Sequence, residues 1–309
     1  MSSSHMPGRI ILILVTVVLY LVTVIVNALA AQGGVELGLF KTYMADISDA
    51  YDLEITSAGL FFTVWDVIYI WQASWLVYGL STICRMKDGH YTYTLDFMPP
   101  AVYAIFIIYL CCNIIWLFLT DRKFVFTAPF LIAMAPLALY FTLCMCSSRL
   151  YRNMTKDAVG IELLLIRFLV QNGMAFYATW TFIAALLNLD TVLTHTHRLG
   201  PETASTVILF ILLVEVVAWF VIDTVMYEKY TRYIFSPYLM QVIAFSGLVK
   251  GGLAADTIYQ DSSLLVMLLV LVIAMLVLKI YTLVVRYKTF PVIPKNLILR
   301  FNAARFIRI

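Results

Sequence analysis

The sequence predicts an all-helical, polytopic membrane bundle of about eight transmembrane helices, forming a single domain over residues 1–309. Three observations predict it. Hydrophobic residues fill 63% of the chain and charged residues only 13%, about half the ~25% charge of a soluble domain. Eight stretches reach the ~20 mostly apolar residues that cross a bilayer: 10–31, 59–82, 98–119, 124–146, 160–188, 204–227, 234–254 and 262–286. The connections are short, and no Pro/Gly/Ser linker, low-complexity segment or internal repeat separates two halves.

The first span lies close to the N-terminus but lacks a small-residue cleavage site, so it is expected to be a retained anchor. The acidic outer loop 32–58 (Glu36, Asp46, Asp49, Asp52, Glu54) is expected to be partly ordered over the outer mouth. In the second span Trp65, Tyr69 and Gln72 share one helical stripe, while Trp71 and Trp75 are expected at interfacial or lipid-facing positions. The third span carries Asn113 and Trp116, and the fourth is apolar. In the fifth, Tyr177, Trp180, Ala184 and Asn188 fall on one stripe. The sixth carries Glu215 and Asp223. Pro237, Gln241, Ser246, Gly247 and Lys250 make the seventh the least lipid-compatible, which predicts packing inside the bundle or a re-entrant segment. After the eighth span, the tail 287–309 mixes basic with apolar residues, as suits a helix on the inner interface.

Lysine and arginine set the orientation. With the N-terminus inside, the outer loops hold Lys41, Arg122, Lys123, Arg198 and Lys250, and the inner loops and termini hold the other loop cations. Both termini are then cytoplasmic, and the net charge of +3 reflects topology and anionic lipid rather than a nucleic-acid surface. No nucleic-acid motif is present. Insertion from the cytosol into the plasma membrane or an endomembrane suits the basic inner loops better than a mitochondrial address. Cys84, Cys111, Cys112, Cys144 and Cys146 avoid the outer loops, so no structural disulfide is expected. His195-x-His197 lacks a third ligand and predicts no metal site. No nucleophile elbow, phosphate loop or zinc motif argues for catalysis.

Three short motifs follow one another on separate spans. They are Ala58-Gly59-Leu60-Phe61-Phe62-Thr63-Val64-Trp65-Asp66-Val67-Ile68-Tyr69, then Asn113-x-x-Trp116, then Tyr177-x-x-Trp180-x-x-x-Ala184-x-x-x-Asn188. Together they resemble the translocator protein or tryptophan-rich sensory protein (TspO/MBR) family. Asn27-Ala28-Leu29-Ala30 followed by Asp46-Ile47-Ser48-Asp49 is similar to its longer members, which add helices to a five-helix core. The resemblance places that core at 57–230, with 10–31 and 234–286 as additional helices. It implies a tetrapyrrole- or sterol-like ligand, bound between the second, third, fifth and sixth spans by Trp65, Tyr69, Asn113, Trp116, Tyr177, Trp180 and Asn188. A homodimer is compatible with it. Phe176 replaces a family Pro and Asp66 a family Gly or Thr, so ligand preference is not simply inherited.

Asp66, Arg167, Glu215 and Asp223 are charges inside spans, each costing roughly 2.5–3.5 kcal/mol unless paired, protonated or wet. Arg167 and Asp223 lie at similar depth and are expected to pair across the fifth and sixth spans. Glu215 has no basic residue at its depth and is expected to be hydrogen-bonded. Glu162 and Lys279 are expected to snorkel to the inner interface. The expected function is a sensor, carrier or scavenger of a hydrophobic small molecule. The alternatives are a proton- or cation-coupled transporter using Asp66, Glu215 and Asp223, or an accessory subunit.

Overall fold

The computed structural model describes residues 5–32, 34–42, 58–87, 89–94, 97–124, 127–153, 161–195, 200–254 and 260–289. The expectations for the outer-loop stretch 43–57, for His197 and for the tail beyond 289 lie outside the described residues.

Eight long helices carry the described residues. They are α1 (Pro7–Ala31), α2 (Ala58–Cys84), α3 (Pro100–Asp121), α4 (Thr127–Asn153), α5 (161–195), α6 (201–226), α7 (Ser236–Ala254) and α8 (Gln260–Thr289). Three begin with proline at the first turn, where the missing N–H has no intrahelical partner to lose. Helix α5 widens into a π-helical stretch at Ile166–Asn172, and α6 ends in another at Ile222–Met226. A two-stranded ribbon, β1 (Met86–Lys87) against β2 (His90–Tyr91), links α2 to α3. The single turn Glu228–Thr231 links α6 to α7.

Seven of these helices are long and apolar enough to cross a membrane, and α7 is not among them. Its polar residues explain why. Yet α7 runs the length of the bundle, because side-chain contacts place both ends of the described chain on one side. Arg9 donates to the carbonyls of Tyr93 and Thr94 at 3.2 and 3.3 Å, tying the start of α1 to the α2–α3 link. Arg85, just after α2, pairs with Glu162 at the start of α5. Arg286, near the end of α8, reaches Glu228 at 3.2 Å. At the opposite end, the N–H groups of Lys41 and Thr42 donate to Asp121 Oδ1 at 2.7 and 3.0 Å.

Helix α5 is the centre. Some 71% of its spanning window is buried, against 22–44% in the other six spans, because α2, α4, α6 and α7 all pack on it. Helices α1 and α3 pack together on one flank, and α7 and α8 on the other. Trp75 and Trp71, expected at the interface or in lipid, instead belong to this packing. Trp75 is fully buried, donates to Gln72 Oε1 at 2.7 Å and meets Phe106 edge-on. The half-buried Trp71 donates to the Phe168 carbonyl at 3.1 Å. Its ring lies so close to Gly173 that an added Cβ would meet the ring at 2.8 Å. Aromatic N–H groups in lipid need acceptors, and here Gln72 of α2 and the Phe168 carbonyl of α5 supply them.

The buried charges sort differently from the sequence expectation. Asp223 is fully buried, accepts from Lys279 Nζ at 2.6 Å and from Tyr238 Oη at 2.7 Å, and so joins α6, α7 and α8. Lys279 is 3% exposed and does not snorkel; it also donates to the Thr231 carbonyl at 3.2 Å. Arg167, expected to pair with Asp223, lies instead over the Tyr233 ring at 3.7 Å. Depth along the sequence matched the two residues, but their azimuths around the bundle do not. Glu162 is buried too, held by Arg85 and by Tyr78 Oη at 2.7 Å.

Asn172 closes the π-helical stretch and serves as a clamp. Its Nδ2 donates to the carbonyls of Arg167 and Tyr233, and its Oδ1 accepts from the N–H groups of Phe235 and Ser236. Ser236 Oγ returns a bond to the Asn172 carbonyl at 2.7 Å. The N–H groups of Phe235 and Ser236 at the start of α7 are thereby satisfied.

Two predictions follow from the charges. Lys279→Met alone should cost about 3–5 kcal/mol, because it leaves Asp223 buried and unpaired. Adding Asp223→Asn should recover most of the loss. Thermal unfolding of the detergent-solubilised variants tests this, and a double variant no better than the single would refute it. At Glu228, burial opposes the charge, but hydrogen bonds from Arg232 and Arg286 and their positive charge outweigh it and hold the carboxyl below its usual range. A carboxylate lowered in the folded state contributes stability above its unfolded value of ~4.3 and loses it as pH falls through the folded value. Glu228→Gln should therefore lower the melting temperature near neutral pH. The gap to wild type should close at acid pH, whereas a gap unchanged with pH would exclude this origin.

Candidate functional site

The three sequence motifs meet around the upper half of α5. Trp65 of α2 stacks on Tyr69 with centroids 5.7 Å apart, and its ring meets Tyr177 and Trp180 of α5 edge-on at 6.1 and 6.0 Å. Tyr109 of α3 donates its hydroxyl proton to Tyr177 Oη, with ring centroids 5.1 Å apart. Helical spacing accounts for the cluster. Residues four apart on α2 and three apart on α5 each lie one turn from the next, so two stripes face across a single helix–helix contact. Edge-to-face geometry is what ring quadrupoles prefer.

Beside this cluster lies a cleft lined by Trp65, by Tyr109, Cys112, Asn113 and Trp116 of α3, by Leu131, Ile132 and Ala135 of α4, and by Thr181 of α5. Its lining is mostly apolar with a few polar groups, the usual make-up of a small-molecule site. Asn113 Oδ1 accepts from Asn27 Nδ2 of α1 at 2.9 Å, and Asn27 also donates to its own helix at Thr23. That bond fixes the amide of Asn113. The buried indole N–H of Trp116 has no acceptor among the described residues. Pro136, inside α4, has no N–H to give the Ile132 carbonyl one turn earlier. The cleft thus has an unused donor and, in its lining residue Ile132, a carbonyl released from the helix ladder.

The predicted binding residues divide. Trp65, Asn113 and Trp116 line the cleft, and Tyr69, Tyr177 and Trp180 form the packed wall behind Trp65; Tyr177 and Trp180 are 2% and 1% exposed. Asn188 stands apart, donating to the Ala184 carbonyl of its own helix at 2.8 Å. Gln72, placed by spacing on the stripe of Trp65 and Tyr69, donates to the Gly173 carbonyl at 3.0 Å instead. The expected location between the second, third, fifth and sixth spans also changes. Helix α4 supplies a wall and α6 does not, because α4 packs most extensively on α3 and α5. Sequence reading missed Tyr109, although Tyr109-x-x-x-Asn113-x-x-Trp116 extends the quoted motif back along the same helical face. The α4 residues carry no polar mark, and only Pro136 could have signalled them.

The charges expected to form an ion route are dispersed. Asp66 is exposed on α2. Glu215 of α6 accepts from Gln241 Nε2 of α7 at 2.8 Å, and Asp223 is committed to Lys279 and Tyr238. Helices α2 and α6 each pack chiefly on α5. Among the described residues, no group of three or more His, Cys, Asp or Glu side chains could hold a metal ion.

A family model described as TSPO-like protein matches residues 12–278, taking in α1 through most of α8. No curated protein and no solved structure matches the chain.

Proposed function

The chain belongs to the TSPO-like protein family, and on that footing we propose that this integral membrane protein binds a flat hydrophobic molecule, tetrapyrrole- or sterol-like, at the α2–α3–α4–α5 cleft. It would act as a sensor, carrier or scavenger. The observation that carries the reading is the convergence of Trp65, Asn113 and Trp116, from two different spans, on one cleft whose buried Trp116 N–H lacks an acceptor among the described residues. A ligand carbonyl or carboxylate could satisfy that donor while ring faces cover an apolar body.

Size constrains the mechanism. The space enclosed in the cleft is far smaller than the roughly 300–1,000 Å³ of typical ligand pockets, so a tetrapyrrole enters only if the cleft widens. Trp65 is the movable wall, being half-buried and meeting α5 through two edge-on ring contacts, with no side-chain hydrogen bond among the described residues. In the α4 wall, Pro136 is the position where the helix can bend. Neither movement breaks the buried Tyr109–Tyr177 hydrogen bond.

Titration of the detergent-purified protein with a porphyrin and separately with a sterol, followed by Trp fluorescence, tests the reading. We expect saturable quenching by one of them, weakened about tenfold or more in Trp116→Phe, which deletes only the N–H donor, and in Trp180→Ala. Linear quenching that neither substitution alters would mean micelle partitioning and would sink the proposal.

We also propose that the end bearing Arg9, Arg85, Arg232 and Arg286 faces the cytoplasm, in keeping with the excess of basic residues there. Cys84 is exposed at that end. A membrane-impermeant thiol reagent should label it only after the cells are permeabilised, with Cys84→Ser as the blank; labelling in intact cells would reverse the orientation.

A further inference from the structure

The hydrogen bonds around Asn113 fix which polar atoms the aromatic cleft offers to a ligand. Asn27 of α1 donates from Nδ2 to the Thr23 carbonyl at 2.8 Å and to Asn113 Oδ1 at 2.9 Å. A backbone carbonyl only accepts, so the atom of Asn27 beside it has to be the amide nitrogen. The atom of Asn113 that this nitrogen meets then has to be the oxygen, and the Asn113 amide is held in one orientation. Asn27 does not line the cleft, whereas Asn113 does. The fixed amide therefore turns Oδ1 toward α1 and leaves Nδ2 on the cleft side. Asn113 is 8% exposed, and its Nδ2 makes no hydrogen bond among the described residues.

Trp116 stands one helical turn further along α3 on the same face, and its buried indole N–H is also without an acceptor among the described residues. The two hydroxyl protons in the lining are already used. Tyr109 donates to Tyr177 Oη, and Thr181 donates to the carbonyls of Tyr177 and Ala178 on its own helix. The carbonyl released by Pro136 belongs to Ile132 of α4, a different wall. What α3 presents is thus a pair of uncharged N–H donors. No Lys, Arg or His stands among the described residues that line the cleft. A carboxylate entering there would lose its water with no cation to replace it, and the exposed carboxylate of Asp66, one residue after Trp65, would repel it. A hydroxyl group can accept, but it brings a proton that needs an acceptor of its own. A carbonyl oxygen brings two lone pairs and no proton, which matches two N–H groups.

We propose that the cleft selects its hydrophobic ligand by a neutral carbonyl oxygen, as in a ketone, ester or lactam, bound by Asn113 and Trp116, and that Asn27 is the positioning residue that sets this preference. The inference rests on the ligand reading given above and narrows it to uncharged carbonyl-bearing molecules, ahead of hydroxylated sterols and tetrapyrrole carboxylates. Helix α1, which carries none of the three aromatic motifs, thereby shapes recognition without touching the ligand.

The test follows thermal stabilisation of the detergent-purified full chain by two matched pairs of probes, cholestanone against cholestanol and mesoporphyrin dimethyl ester against the free diacid. We expect the neutral carbonyl member of at least one pair to saturate at a midpoint about tenfold lower than its counterpart. Trp116→Phe should remove most of that advantage by weakening the carbonyl member alone. Asn27→Leu, at a half-buried position, should do the same, because the released Asn113 amide can then present either end; a substitution that only loosened the fold would weaken both members alike. Trp116→Phe keeps the test valid should Asn27→Leu fail to fold. Partitioning into micelles would favour the ketone and the ester equally in every variant, so an advantage unchanged by both substitutions would overturn the proposal. Equal or tighter binding of the alcohol and the diacid would overturn it too, while leaving the cleft as a ligand site. Absence of saturable binding by all of the probes would remove the ligand reading together with this inference.

Discussion

The buried pair of Asp223 and Lys279 is the interaction on which the second half of the bundle depends. An ion pair in lipid pays a large desolvation cost unless every remaining hydrogen-bonding position is filled. Here Tyr238 completes Asp223, and the Thr231 carbonyl takes a second proton of Lys279. One carboxylate therefore fixes α6, the turn after it, α7 and α8 relative to one another. Helix α7, too polar to face lipid, can cross the bundle because its polar side chains find partners inside it: Tyr238 with Asp223, and Gln241 with Glu215.

The same requirement shapes the centre. Trp71, Gln72 and Trp75 hand their hydrogen bonds to one another and to α5 backbone carbonyls, so α2 docks on α5 through polar contacts as well as apolar area. Gly173 permits the close approach. Below it, the π-helical stretch turns Arg167 and Gln171 toward α4 and the α6–α7 link, while Asn172 supplies the start of α7 with acceptors. Above it, α5 is an ordinary helix whose Tyr177 and Trp180 meet Trp65. One helix thus borders two chemically opposite pockets, an apolar aromatic cleft toward the end away from the basic residues and a tyrosine-lined pocket with Arg167 and Lys229 at the basic end.

The aromatic cleft is filled more by its own walls than by open space. Packing of this density gives stability without a preformed cavity, so any molecule entering there would have to move Trp65 and α4 rather than fill a void. Asp66 places an exposed carboxylate one residue after Trp65. A carboxylate there bears on which molecules approach from that side.

By itself the sequence determined the solvent, the helices and the family. Apolar runs of about 20 residues leave a chain in lipid no alternative to helices that satisfy their own backbone. The spacing of Trp65 with Tyr69 and of Tyr177 with Trp180 set aromatic stripes that the fold brings together. Charges were legible as exceptional, but not as pairs, because depth follows from position in the chain whereas azimuth around the bundle follows from packing. So Asp223 found Lys279, which sequence left at the interface, and Arg167 found a tyrosine ring. Only the tertiary structure decided that α4 rather than α6 walls the cleft, that Trp75 is buried, and that cations from α5 and the α6–α7 link share a pocket. Each of these depends on which face a helix turns to its neighbours, and in a chain apolar on almost every face the hydrophobic pattern does not say which face that is.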